Sequence, residues 1–291
     1  MSKQSLDLIL CSGLQSGGTS LVSWCFLQRS DTDGVYDMEN SIIQTDLSLV
    51  QTSYTWVKMT IGSFRTIDVK QVYEDLGYQV RPLLVIRDVR HAFVSLIKKH
   101  YGINGNTAED PPLRLRFRRF LEDWIRFRDN GWPILKFEDF VNQPEIELHT
   151  LARSLGLPWD ESMLTWQKPA GSISYTSDGN RTLQAARNAG SDLRGTLLKE
   201  KIERPDGALP QRELEWLEEN FRQYNRMNGY PEHLDDIRVE GECLPVPSFD
   251  VTTRNELLKV NARLERIRRH AVFGPLIRFW AAYINRDYRV L

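Results

Sequence analysis

The chain predicts an α/β fold: a three-layer sandwich in which helices cover both faces of a central parallel sheet. Two observations predict it. Short apolar runs alternate with helical segments along most of the length, the pattern of a parallel sheet with crossover helices. The first run also feeds a glycine-rich loop that opens straight into a helix. Asp7-Leu8-Ile9-Leu10-Cys11 suits a central strand buried on both faces. Ser12-Gly13-Leu14-Gln15-Ser16-Gly17-Gly18 fits no regular element, and its three glycines let backbone N–H groups approach a ligand. Thr19 and Ser20 start an apolar helix through Leu21, Val22, Trp24, Cys25 and Phe26. Unpaired N–H groups and the helix dipole both face the loop, which makes it an anion site. The spacing Gly13-x4-Gly18 is that of a nucleotide phosphate loop, but Thr19 stands where a triphosphatase carries the lysine that reaches the terminal phosphates.

The remaining elements follow in order. Arg29 to Thr55 is a polar stretch. Trp56-Val57-Lys58-Met59-Thr60 reads as the second strand, and Val69 to Leu76 as a helix stopped by Gly77. Arg81 to Arg87 is the clearest later strand, with four consecutive apolar residues. Asp88 can cap the helix after it, which is expected to run to about His100. Pro111-Pro112 opens a long helix to about Asp129, striped by Leu113, Phe117, Phe120, Leu121 and Trp124. Pro133 to Phe137 is the fourth strand candidate, and Glu145 to Leu155 a helix closed by Gly156. Ser172 to Gly195 is a polar loop, and Gln211 to Met227 a helix with Trp216, Leu217, Phe221 and Tyr224 inward. Ligands of such sheets bind at the carboxyl ends of the strands. That places the Gly13 loop, Lys58 and Arg87 on one edge.

Composition narrows the partners. With 291 residues, 41% hydrophobic and 26% charged, the chain can bury a substantial core under a polar surface. A net charge of −1 gives no reason to expect nucleic acid. Cys11, Cys25 and Cys243 are odd in number and lack metal-ligand spacing, which suits a reducing, cytoplasmic setting. No signal peptide and no run long enough to span a bilayer is seen, and no metal motif. The charge is unevenly spread: Arg254 to Leu291 carries nine Lys/Arg against three Asp/Glu, leaving −7 on the remainder. We therefore divide the chain into a main unit at 1–240, a linker at 241–251 with Pro245 and Pro247, and a basic helical tail at 252–291. In the tail, Leu257, Val260, Leu264, Ile267 and Ala271 have helical spacing, and aromatic residues follow, interleaved with Arg278 and Arg286. Docking on the main unit or on a second copy of the chain is the favoured role. Lying in an anionic membrane interface is the other.

A second segment repeats the logic of the first loop. Arg87-Asp88-Val89-Arg90-His91-Ala92-Phe93-Val94-Ser95 joins a buried strand to a helix, and an arginine fork suits a pair of phosphate oxygens. Together the two segments resemble the sulfotransferases that use 3′-phosphoadenylyl sulfate (PAPS), of bacterial or glycan-directed type. The family's first motif runs Pro, Lys or Arg, a small residue, Gly, Thr, Ser or Thr, any residue, Leu. It meets Leu14 through Leu21 here. The second motif sets an arginine eight residues before a serine, as Arg87 and Ser95 stand. A third likeness is Leu135 through Phe140 with Pro144, then Leu151 through Pro158. The likeness spans roughly Leu6 to Pro231.

The resemblance implies a phosphate-loop-like α/β enzyme that moves a sulfuryl group from PAPS to an acceptor hydroxyl or amine without a metal and releases adenosine 3′,5′-bisphosphate. It implies that Gln15, Ser16, Gly17, Gly18, Thr19 and Ser20 hold the 5′-phosphosulfate. Arg87 and Ser95 would hold the 3′-phosphate, joined by Arg181 and Arg194 from the polar loop. Lys58 matches the lysine at the end of the family's second strand. The histidine base of cytosolic members is absent after Lys58, so Glu39, 24 residues beyond Gln15, is the first choice of base and His100 the second. His91 is expected to face solvent. Two departures stand out: the family's loop cation is Gln15 here, and the proline of the second motif is Val89. The alternatives are a kinase-like nucleotide enzyme, disfavoured by the missing lysine, and a non-catalytic bisphosphate-binding protein, favoured by Gln15. Nothing in the sequence names the acceptor.

Overall fold

In a computed structural model of the chain, residues 7–38, 43–96, 111–168, 172–175 and 211–231 are described. Five parallel strands form one sheet in the order β2-β3-β1-β4-β5. They are β1 (Asp7–Gly13), β2 (Thr32–Val35), β3 (Tyr54–Lys58), β4 (Gln79–Ile86) and β5 (Ile134–Lys136). Helices α1 (Thr19–Leu27), α2 (Thr66–Asp75) and α3 (Val89–Leu96) follow β1, β3 and β4. After them come α4 (Pro111–Asp129), α5 (Phe137–Asn142), α6 (Pro144–Ser154), α7 (Ser162–Thr165) and α8 (Gln211–Asn228).

The strand period of two sorts side chains to opposite faces. Ile9 and Cys11 of β1 pack with Trp24, Phe26 and Phe140 on the face covered by α1, α5 and α6. Leu8 and Leu10 pack with Val69, Val72 and Tyr73 of α2 on the other. A third cluster joins Leu84 and Ile86 to Phe93, Phe117, Phe120, Trp124, Phe221 and Tyr224, which seats α3, α4 and α8 together. The double-sided burial expected of β1 and β4 is present, and Asp88 caps α3 by accepting the Arg90 N–H at 2.9 Å.

Several boundaries differ from the sequence reading. The largest difference is β2, which lies inside the stretch read as polar, with no strand assigned to it. Its sequence, Thr-Asp-Gly-Val, carries almost no apolar signal, yet all four residues are buried. Asp33 explains this. Its Oδ1 accepts the N–H of Gly34 at 2.8 Å and of Ser174 at 2.9 Å, and its Oδ2 accepts the Ser174 hydroxyl. Tyr36 N–H and Tyr175 N–H donate to Tyr175 and Gly34 carbonyls, so the 172–175 segment lines the outer edge of β2. The strand expected at Trp56 to Thr60 starts two residues earlier and ends at Lys58, and Lys58 therefore closes the third strand in chain order. Beyond it, Met59 and Ile61 N–H still donate to the Cys11 and Gly13 carbonyls. The strand read as Arg81 to Arg87 is Gln79–Ile86, so Arg87 sits just past its end. Phe137 opens α5 rather than closing a strand.

Candidate active site

The loop after β1 is shaped by two residues in left-handed backbone conformation, Ser16 at φ 65° and Gly18 at φ 96°. Gly18 is held there by more than its φ. A Cβ on it would lie 2.1 Å from the Phe137 ring. Gly17 is equally confined, since a Cβ there would meet the Leu14 carbonyl oxygen at 2.8 Å. Gly18 is also the N-cap of α1 and supplies no side-chain cap. The Leu21 N–H turns back to the Gly18 carbonyl at 3.0 Å, and no side chain caps the Thr19 and Ser20 N–H groups ahead of it. The arrangement is a tight, backbone-lined bowl with the positive end of a helix at its rim.

Three neighbouring strands bring side chains to this bowl. In the register, Cys11 faces Lys58 across β1 and β3, and Gly13 faces Val85 across β1 and β4. Arg87 Nη1 donates to the Ser16 carbonyl at 2.8 Å, and its guanidinium lies 4.8 Å over the Phe137 ring. The Arg87 backbone is fixed from behind by Tyr224, whose hydroxyl donates to its carbonyl at 2.7 Å. Arg87 Nε is buried without a hydrogen-bond partner. Lys58 is buried and paired with Asp37 at 2.5 Å. Asp37 follows β2, so the strand missing from the sequence reading supplies the lysine's counter-charge.

The surroundings are electrostatically ordered. Burial alone would raise the Asp88 carboxyl, but hydrogen bonds and charge from Arg90 more than reverse this and hold it below its ordinary range. His91 is half-buried rather than turned to solvent, and burial lowers its pKa, aided by the charge of Arg87. Cys11, beneath the loop, is pushed up to about 12 by burial, so it is a thiol and no nucleophile. Among the described residues no group of His, Cys, Asp and Glu could hold a metal ion. Among them also, no helix is long and apolar enough to cross a membrane.

The sequence-predicted residues thus divide. Gln15, Ser16, Gly17, Gly18, Thr19, Ser20, Lys58 and Arg87 gather at the carboxyl edge, as the strand-end argument required. Ser95 sits in the last turn of α3. Glu39, His100, Arg181 and Arg194 lie outside the described residues, as do the linker and the tail. One residue the sequence reading missed is Arg116 of α4. Its Nη1 donates to Gln15 Oε1 at 3.0 Å.

No family model matches the chain, and no curated protein does. Solved structures do match it, and the matches include sulfotransferases. A sulfotransferase domain from the Synechococcus PCC 7002 olefin synthase is 13% identical over 76% of this chain and 97% of that one, with a TM-score of 0.45. The mouse sulfotransferase SULT7A1, solved in complex with PAP, is 12% identical over 78% and 91%, with a TM-score of 0.47. A sulfotransferase domain from the curacin biosynthetic pathway is 12% identical over 77% and 98%, with a TM-score of 0.45.

Proposed function

We propose that this protein transfers a sulfuryl group from PAPS to a hydroxyl or amine of an acceptor, a glycan or a small metabolite. The observation that carries this reading is the Arg87–Ser16 hydrogen bond. It joins the two anion-binding segments on adjacent strands into one surface that suits a ligand with phosphate groups at two ends. The residues fit such a nucleotide. Neither Gly17 nor Gly18 has space for a side chain, so the loop presents backbone there, and the buried Arg87 Nε has no hydrogen-bond partner.

In this reading Ser16 through Ser20 and the N-terminus of α1 hold the 5′ end. Arg87 and Ser95 hold the 3′-phosphate, with Arg181 and Arg194 as further cations. Lys58, kept in place by Asp37, neutralises charge spreading over the transferred group. PAPS supplies an activated sulfuryl group whose bond to the 5′-phosphate is the one that breaks. The acceptor oxygen or nitrogen forms the new bond to sulfur while its proton passes to the Glu39 carboxylate, two residues along the chain from Asp37. The electron pair of the broken bond stays with the 5′-phosphate of the departing adenosine 3′,5′-bisphosphate.

Calorimetric titration of the full chain with adenosine 3′,5′-bisphosphate and with ATP–Mg²⁺ tests the reading. The bisphosphate is expected to bind more tightly, and preference for ATP–Mg²⁺ would overturn the assignment. A sulfate-transfer assay over a panel of glycans and small hydroxyl compounds then separates an enzyme from a binding protein. Glu39→Gln is expected to keep bisphosphate affinity and to lower turnover by roughly 10²–10⁴-fold, the range for a lost general base.

A further inference from the structure

Buried cations in this protein come with carboxylates. Arg29, Arg65, Arg90, Arg116 and Lys58 are the buried arginines and lysines among the described residues. Arg29 pairs with Asp31 at 2.7 Å, Arg65 with Asp68 at 2.9 Å and Glu122 at 3.0 Å, Arg90 with Asp88 at 2.6 Å, and Lys58 with Asp37 at 2.5 Å. Arg116, only 6% exposed, has no carboxylate within 4.0 Å among the described residues. Its polar partner is the neutral amide of Gln15. A buried guanidinium without a counter-charge is costly, and an anion seated beside it relieves that cost.

Its position says which anion. Arg116, Arg119 and Asp123 stand at i, i+3 and i+7 of α4 and so share one face. That face is tied to the carboxyl edge of the sheet at three points. Arg116 bonds Gln15, Arg119 donates to the Gly62 carbonyl beyond β3, and Asp123 Oδ2 accepts the Thr66 N–H at 2.6 Å at the start of α2. Phe117, Phe120 and Trp124 bury the neighbouring stripe of the helix. The guanidinium is therefore carried on a packed helix to a loop that has no cation of its own between Leu14 and Ser20.

We infer that Arg116 is the cation of the Leu14–Ser20 loop, supplied from α4 and oriented by Gln15, and that it binds the 5′-phosphate end of the nucleotide. This rests on the sulfuryl-transfer reading and deepens it. Gln15 then has a role that a lysine could not fill: its amide oxygen accepts from Arg116, whereas a lysine there would repel the guanidinium. Charge that developed on the 5′-phosphate as the sulfuryl group left would meet a planar, two-pronged donor.

The test is a binding series by calorimetry on the full chain with adenosine 3′,5′-bisphosphate, adenosine 5′-phosphate and adenosine 3′-phosphate. Arg116→Gln is expected to weaken both ligands that carry a 5′-phosphate by roughly 10–100-fold. Adenosine 3′-phosphate should stay within about twofold. Gln15→Lys in the Arg116→Gln background returns a charge to the loop and should recover most of the lost affinity. Arg116→Lys keeps a buried charge at shorter reach. It should lose less, with the same selectivity, and decides the matter if Arg116→Gln fails to fold. Equal losses for all three nucleotides, or no rescue by Gln15→Lys, would assign Arg116 a packing role and leave the sulfuryl-transfer reading standing. A wild-type protein that binds none of the three would remove that reading and this inference together.

Discussion

At the scale of single residues the site is built from positions with two duties. Arg87 braces the loop through the Ser16 carbonyl and stacks on Phe137, while its Nε remains without a partner. Phe137 in turn fills the space a side chain on Gly18 would need. Loop shape and cation position are thus one structure. Arg87→Ala is expected to weaken adenosine 3′,5′-bisphosphate by roughly 10–100-fold, since a charge-assisted pair is lost. Adenosine 5′-phosphate should weaken only a few-fold, through the loosened loop. Calorimetry of the two ligands reads the difference, and equal losses would remove Arg87 from the 3′-phosphate. Arg87 and Arg116 should therefore show opposite selectivities in the same titrations.

Among the elements, α4 is legible in the sequence, but its contact with the loop after β1 through Arg116 is not. It is pinned by a buried acid. Asp123 is 1% exposed, its Oδ2 holds the Thr66 N–H, and its Oδ1 has no hydrogen-bond partner. The Thr66 hydroxyl is committed to Ser12 at 2.8 Å, and the Ser12 hydroxyl to the Leu83 carbonyl at 3.1 Å. Burial pushes the Asp123 carboxyl up to about 7 from 3.8, against the opposing hydrogen bond from the Thr66 N–H, with the nearby Asp68 adding to the rise and Arg65 reducing it. A folded-state pKa above the unfolded one means that the folded state holds the proton more tightly. The stabilisation is complete below about 3.8 and is lost as pH rises through about 7. Asp123→Asn keeps an acceptor for Thr66 and never ionises. Its stability relative to wild type should rise across that window by on the order of 2–4 kcal/mol and level off above it. Urea unfolding from pH 4.5 to 8.5 measures this, and a pH-independent difference would show that Asp123 is ionised throughout.

For the whole molecule, the charge division sets the question. The segment from Arg254 carries +6 against −7 for the rest, so the tail and the remainder attract each other. We propose that residues 252–291 pack on the preceding 1–240 unit or on a second copy of the chain. Deleting Thr252 to Leu291 should then lower the unfolding temperature or change the oligomeric state, and the full-length protein should not co-sediment with anionic vesicles. A truncated protein that stays folded, paired with vesicle binding seen only at full length, would make the tail a peripheral anchor instead.

The alternation of apolar runs and helices was enough to place β1, β4, α4 and α8, because a parallel sheet buried on both faces needs continuous apolar strands. The glycine spacing after β1 was enough to mark an anion loop, because a backbone that must take positive φ leaves its trace in residue type. Together these put Lys58, Arg87 and the loop on one edge of the sheet. Other features were decided only by tertiary contacts. Thr32 to Val35 is a strand because Asp33 finds hydrogen-bond partners at Gly34 and, about 140 residues further on, at Ser174, and no local pattern records such partners. Lys58 has its counter-charge because that same strand carries Asp37 to it. Arg116 stands in a helix with several arginines, and nothing in its neighbourhood along the chain separates it from them. It becomes distinct only when α4 lays it against Gln15, 101 residues away, in a place where burial has removed water and no described carboxylate balances its charge.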